Sequence, residues 1–229
     1  MSRDIEWKND SLWLEVEQKK LYPPEMITWM LGATEITGDE DFQGKYLLDN
    51  GCGTGRFANL AKSKGANVIG TDISDSMLGE ASKYFQTARA SSYELPFKDE
   101  SFDYVSSLMV MQVLDNPERA IKESHRVLKP GGKFYFAIVH PRAPVWNGDG
   151  VCHQELANEN FEERKWVFNL RDGRQFTKTY MNRPESFYEQ QFDGLFDITK
   201  RLAPKFPKEL QNGGRYAGTE YLFMELIKN

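Results

Sequence analysis

Cysteine and histidine are scarce: Cys52, Cys152, His125, His140 and His153 are all that 229 residues hold. Neither a disulfide framework nor a paired metal-ligand spacing can be drawn from them, and no metal site is expected. An apolar run near the roughly 18 residues a membrane helix needs is also missing. The opening Met1-Ser2-Arg3-Asp4-Ile5-Glu6-Trp7 has no apolar stretch followed by a small-residue cleavage site. These absences predict a cytoplasmic chain with no membrane partner. Positive charge is not in excess either. A net charge of -5 offers no broad attraction to a phosphate backbone, so nucleic acid is not an expected partner. No internal repeat or low-complexity tract stands out. The hydrophobic share of 40% and charged share of 28% are those of a globular domain, and the length predicts a single one with a smaller lid.

From residue 45 to 141 short apolar runs alternate with helix-period segments, the pattern of successive βαβ units around a parallel sheet. Tyr46-Leu47-Leu48 reads as the first strand, and Phe57, Ala58, Leu60 and Ala61 as the buried face of the helix that follows. The second strand is Val68-Ile69-Gly70-Thr71, after which Ser74 caps a helix with Met77, Leu78, Ala81, Tyr84 and Phe85 on one side. A polar stretch leads to a strand at 102–107. Asn116 and Pro117 then start a helix, and Lys129-Pro130-Gly131-Gly132 stops it before a strand at 134–139 that ends at His140-Pro141. Residues 142–184 lose periodicity yet contain Trp146, Trp166, Phe168, Phe176 and Tyr180. That is too aromatic for a linker and predicts an insertion packed as a lid. Residues 185–229 read as a helix, beginning near Pro184, and strands at 196–201 and 221–226. Residues 1–44 read as a helical cap, with helices near 13–20 and 25–31.

The most informative stretch is Leu47-Leu48-Asp49-Asn50-Gly51-Cys52-Gly53-Thr54-Gly55-Arg56-Phe57, a strand that runs through three alternate glycines into a helix. A backbone without Cβ can take left-handed angles and let a ligand lie against the main chain, so this loop predicts an elongated cofactor. Asp72, at the end of the second strand, is placed to accept from ribose hydroxyls. The dinucleotide fingerprint also has glycines and a later acid. Here, however, Arg56 stands where that pattern needs its third glycine for close packing, which disfavours an NAD(P)-dependent oxidoreductase.

Four motifs in order then agree: Asp49 to Gly55; Gly70-Thr71-Asp72-Ile73-Ser74 with Met77-Leu78; Leu95-Pro96-Phe97-Lys98-Asp99-Glu100-Ser101-Phe102-Asp103; and Arg126-Val127-Leu128-Lys129-Pro130-Gly131-Gly132. Together they resemble the S-adenosylmethionine-dependent methyltransferases of the Rossmann-like class, in the branch of ubiquinone/menaquinone-biosynthesis and small-molecule enzymes. The resemblance covers about residues 45–140. It implies a doubly wound, mostly parallel α/β sheet of seven strands with the last antiparallel. It also implies S-adenosylmethionine as cofactor and S-adenosylhomocysteine as product.

Carried over residue by residue, it lays Gly51, Cys52, Gly53 and Gly55 along the methionyl part and Asp49 near the ammonium. Asp72 would accept from the ribose, with Ile73 on one adenine face and Met77 nearby. Ser91 stands where the family often has Asp, so the adenine contact loses charge assistance or shifts to the backbone of Ser92 and Tyr93. Ser107, Leu108, Met109 and Gln112 would face the sulfonium and the acceptor. Gln112 and His140 are the candidates for a catalytic role. For His140 two readings stay open: a base with pKa about 6.5, or an anchor that hydrogen-bonds the departing loop.

The implied activity is methyl transfer by in-line displacement to an N, O, S or C nucleophile of a small molecule, in a monomer or homodimer. A non-catalytic cofactor-binding protein is the alternative on the same fold. Enzymes acting on base amino groups resemble one another in an Asn- or Asp-Pro-Pro-aromatic motif, where this chain has Ser107-Leu108-Met109-Val110.

Overall fold

The computed structural model describes residues 14–15, 26–143, 145–146, 152–153, 160–169, 173–204 and 221–229. In chain order the elements are α1 (Met26–Thr37), β1 (Tyr46–Asn50), α2 (Arg56–Ser63), β2 (Asn67–Asp72), α3 (Asp75–Ala81), β3 (Gln86–Arg89), β4 (Phe102–Leu108), α4 (Pro117–Val127) and β5 (Leu128–Val139). There follow β6 (Val145–Trp146), β7 (Cys152–His153), β8 (Glu162–Asn169), β9 (Gln175–Asn182), α5 (Glu185–Phe192), β10 (Phe196–Leu202) and β11 (Tyr221–Lys228). The helix expected near 13–20 lies almost wholly outside the described residues. No described helix is long and apolar enough to cross a membrane.

Seven strands form one sheet in the order β10-β11-β5-β4-β1-β2-β3. The five from β3 to β5 are parallel, and β11 is antiparallel to both of its neighbours. The sheet is therefore the doubly wound, mostly parallel one expected, with an antiparallel final strand. The chain moves outward from β1 to β3 and then returns to β4 on the other side of β1. Such a reversal opens a crevice between β1 and β4 at their carboxyl ends, where open α/β sheets bind ligands.

Period-2 alternation divides the core between the two faces. On one face Leu47, Tyr104, Tyr135 and Phe223 pack with Phe57, Ala58 and Ala61 of α2. On the other, Leu48, Val105, Phe134, Phe136 and Leu222 pack with Ile121 of α4 and Tyr188 of α5. Each such fully buried large apolar side chain contributes about 1.5–3 kcal/mol. The helix starts follow their caps: Ser74 Oγ accepts from Met77 N at 3.4 Å, and Asn116 Oδ1 from Arg119 N at 3.0 Å. Helix α1 runs six residues beyond the expected 25–31. It lies so close to β11 that a Cβ on Gly32 would stand 2.2 Å from the Phe223 ring.

Two further elements differ from expectation. Edge strand β3 falls in a stretch read only as polar; it is four residues long, has no fully buried side chain, and is held by its ladder to β2. Residues 142–184 are not irregular throughout: β6 pairs with β7, and β8 pairs antiparallel with β9 along its whole length. The root of the second hairpin rests on the carboxyl edge of the sheet. Met181 N donates to Gln112 O at 2.8 Å, Arg164 Nη1 donates to Pro141 O at 3.1 Å, and Tyr180 packs with Val113, Val139 and Ala143.

Candidate functional site

The loop between β1 and α2 turns through three left-handed glycines, Gly51, Gly53 and Gly55, with φ of 78°, 54° and 89°. It closes against β2: Gly51 N and Cys52 N each donate to Thr71 O at 2.8 Å, and Gly53 N donates to Asp72 Oδ2 at 2.9 Å. The glycines do different jobs. A Cβ on Gly55 would lie 2.4 Å from the Phe85 ring, whereas one on Gly53 would meet nothing within 4 Å. Gly55 is thus a packing glycine, and Gly53 marks the open side, a cradle for a ligand lying on the main chain. Cys52 turns its thiol toward Gly70 and donates to Gly53 O at 3.5 Å. Burial, and then the charges of Asp49 and Asp72, push the thiol pKa up, so it stays protonated.

Two carboxyls flank the loop. Asp49 is buried, and its Oδ1 accepts from Ser106 Oγ at 2.7 Å. Burial pushes its pKa up to about 6 against the opposing pull of the Ser106 hydroxyl and the Ala58 N–H, with the charge of Asp72 also raising it. Asp72 accepts from Gly53 N through Oδ2 and from Ser74 N through Oδ1 at 2.9 Å. Burial raises its pKa too, opposed by these N–H donors and that of Ile73. Neither acid has an ion-pair partner among the described residues, so the pair makes a negative spot that favours a cationic ligand.

Around these groups, Ile73 is half-buried, and Met77 lies buried beneath the Ser74 cap. Ser91 Oγ accepts from Tyr93 N at 3.2 Å, folding 91–94 into a turn. The Ser92 hydroxyl donates to Asn50 Oδ1 at 2.7 Å, and Asn50 Nδ2 donates to Ser124 Oγ at 3.3 Å. The Ser92 side chain is thereby held in the core, and its turn offers a ligand main chain and Ser91. The Tyr93 hydroxyl accepts from Asp115 N at 3.0 Å and Asn116 N at 3.2 Å, tying the turn to the start of α4.

At the end of β4, Ser107 and Leu108 are buried, and Met109 takes a left-handed φ of 68°, uncommon for a residue with a side chain. The hydroxyls of Ser107 and Thr71 are buried with no hydrogen-bond partner among the described residues. Thr71 is in register with Asn50, and Ser107 lies one residue beyond the Asp49–Ser106 pair. A polar row thus crosses the ends of β2, β1 and β4. A glycine cradle and two acids with no ion-pair partner among the described residues suit an elongated polar cation.

The two catalytic candidates both bond to main chain around the end of β5, which for His140 is the anchoring one of the two readings left open. Gln112 is buried, its Oε1 accepts from Val139 N at 3.2 Å and its Nε2 contacts Met109 Sδ at 4.0 Å. Its amide ties the segment after β4 to the end of β5. His140 Nδ1 accepts from Arg142 N at 3.0 Å, and its carbonyl accepts from Ala143 N at 2.7 Å. With Nδ1 accepting, the ring proton belongs to Nε2. Sequence reasoning also missed Val110, whose Cγ2 sits 2.3 Å from where a Gly51 Cβ would be, and the Asn50–Ser92–Ser124 chain.

A seven-stranded sheet of this order, with a glycine loop after its first strand and an acid ending its second, defines the Rossmann-like methyltransferase class. Residues 48–136 of the chain match the methyltransferase domain family. It is similar to the demethylmenaquinone methyltransferase of Tropheryma whipplei, 38% identical over 120 residues, covering 50% of this chain and 49% of that protein. It is similar also to the ubiquinone biosynthesis O-methyltransferase of Coxiella burnetii, 30% identical over 105 residues, covering 43% and 45%. The matches span about half the length of these relatives. A crystal structure from Listeria monocytogenes, assigned to the S-adenosylmethionine dependent methyltransferases, superposes with a TM-score of 0.70 at 21% identity, covering 90% of this chain and 98% of that one. That likeness bears on the fold.

Proposed function

We propose that this chain binds S-adenosylmethionine in the β1–β4 crevice and methylates an N, O, S or C nucleophile of a small molecule. The carrying observation is the pair of carboxyls, buried Asp49 and half-buried Asp72, that flank the glycine loop, the second bonded to Gly53 N. Asp49 would accept from the cofactor ammonium and Asp72 from the ribose hydroxyls, while the loop main chain lies along the methionyl part. When bound, the cofactor supplies the methyl group and a sulfur leaving group. What remains for the residues is alignment and dryness, which can lower a barrier by several kcal/mol. Leu108, Met109, Val139 and Tyr180 give the crevice apolar walls against water. His140, whose Nδ1 is held by Arg142 N, suits an orienting role better than proton removal. A small acceptor is supported by the negative net charge and by relatives named for ubiquinone biosynthesis and demethylmenaquinone.

Calorimetry with the two cofactor forms tests this reading. Asp72→Ala should weaken binding by roughly 1–3 kcal/mol, the worth of a charged acceptor. A folded wild-type chain that binds neither form at millimolar concentration would sink it.

A further inference from the structure

We infer that Arg183 is a positioning residue, a latch that fixes the segment after β4, residues 109–114, to the root of the β8–β9 hairpin. Its guanidinium is buried, 4% exposed, and donates from Nη1 to Met111 O at 3.2 Å and from Nη2 to Leu114 O at 2.8 Å. Its planar head lies over the Phe187 ring at 5.6 Å. Burying a cation is costly unless its donors are satisfied, and here two carbonyls and an aromatic face supply that compensation.

Residues 109–114 form neither helix nor strand, and Val113 N to Val110 O at 2.9 Å is the bond that closes them on themselves. Their shape therefore depends on outside partners. Besides Arg183 these are Met181 N on Gln112 O, Val139 N on Gln112 Oε1, and Ala137 O, which accepts from Met109 N at 2.7 Å. The left-handed Met109 is consistent with such outside control, because a strained backbone persists only where its surroundings over-determine it. Through Val110 the same segment leans on Gly51. A shift of the hairpin root is thus transmitted to the edge of the glycine loop, and hairpin and segment open as one unit. A lysine would bring a single nitrogen in place of the two that the planar arginine fork sets against the two carbonyls. That the segment faces the acceptor rests on the function proposed above; the latch does not.

The test is hydrogen exchange at the Val113 and Met181 amides in Arg183→Ala and Arg183→Lys. In the alanine variant both should exchange about tenfold faster, together, while the β1 amides stay protected. The lysine variant should fall between, and it carries the test alone if the alanine variant fails to fold. Low-millimolar guanidinium should restore protection in the alanine variant, and tetramethylammonium should not, a difference that mere loosening of the fold would not produce. Wild-type exchange at both amides, a response at Met181 alone, or equal rescue by the two cations would overturn the latch. S-adenosylhomocysteine affinity, measured on the same samples, separates the two claims. Wild-type protein that fails to bind it speaks against the methyltransferase reading and leaves the exchange result to decide the latch.

Discussion

Asp49 couples the site to pH. Its carboxyl is raised by burial to about 6 from an ordinary value of 3.8. A group raised by folding contributes stability that is fully present below its unfolded value and lost as pH rises through its folded one. The ligand-free chain should therefore gain stability from this group on acidification through about pH 6 toward 4. A cationic ligand reverses the preference, because it favours the ionised carboxylate. Cofactor affinity should fall below about pH 6, and binding near that pH should release a proton. Calorimetry in two buffers of different ionisation enthalpy reads the proton; flat affinity from about pH 8 to about pH 5 and no release would refute the coupling. Asp49, Asp72 and the glycines were legible in the sequence because their reasons are local, a strand end and a loop that must turn left-handed. The partners of Asn50 lie 42 and 74 residues away, and nothing in a linear text joins them. The Arg142 N–H that decides the tautomer of His140 is two residues off, yet only the turn geometry shows it.

Among the elements, the glycine loop separates stability from binding. Gly55→Ala meets both a left-handed φ and the Phe85 ring, and should cost about 2–4 kcal/mol, read as a fall in thermal midpoint. Gly53→Ala meets only the φ and should cost about 1 kcal/mol. Its added methyl group projects onto the open side, so it should weaken S-adenosylhomocysteine at least about tenfold, more than the loss of stability accounts for. If Gly53→Ala binds normally, the cradle is misplaced. The βαβ elements could be read from periodicity because each buries a face. β3 could not, since residues 86–89 carry no alternation and owe their form to the neighbouring strand. Hairpin β8–β9 begins with Glu162-Glu163-Arg164-Lys165, charges that mask a strand, although Arg164 is buried by its bonds to Glu162 and Pro141 O.

At the scale of the molecule, the strand order was legible only through the resemblance, because hydrophobic pattern alone does not say which edge a strand joins. The final strand illustrates this. β11 does not extend the sheet but fills the space between β5 and β10. On the ribosome, the edge of β5 therefore has no antiparallel neighbour until residues 221–228 emerge, although every group of the cofactor crevice has already been made. Unpaired apolar edges are templates for the wrong partner. A chain stopped after residue 220 should keep the whole cradle and still accumulate as aggregate, measured as the soluble fraction after synthesis. Recovery of a soluble, cooperatively melting truncate would show that β10 can close the sheet on its own. β11 must then enter between two strands that precede it in the chain, so a nascent chain needs shielding longest at an edge that takes no part in the chemistry.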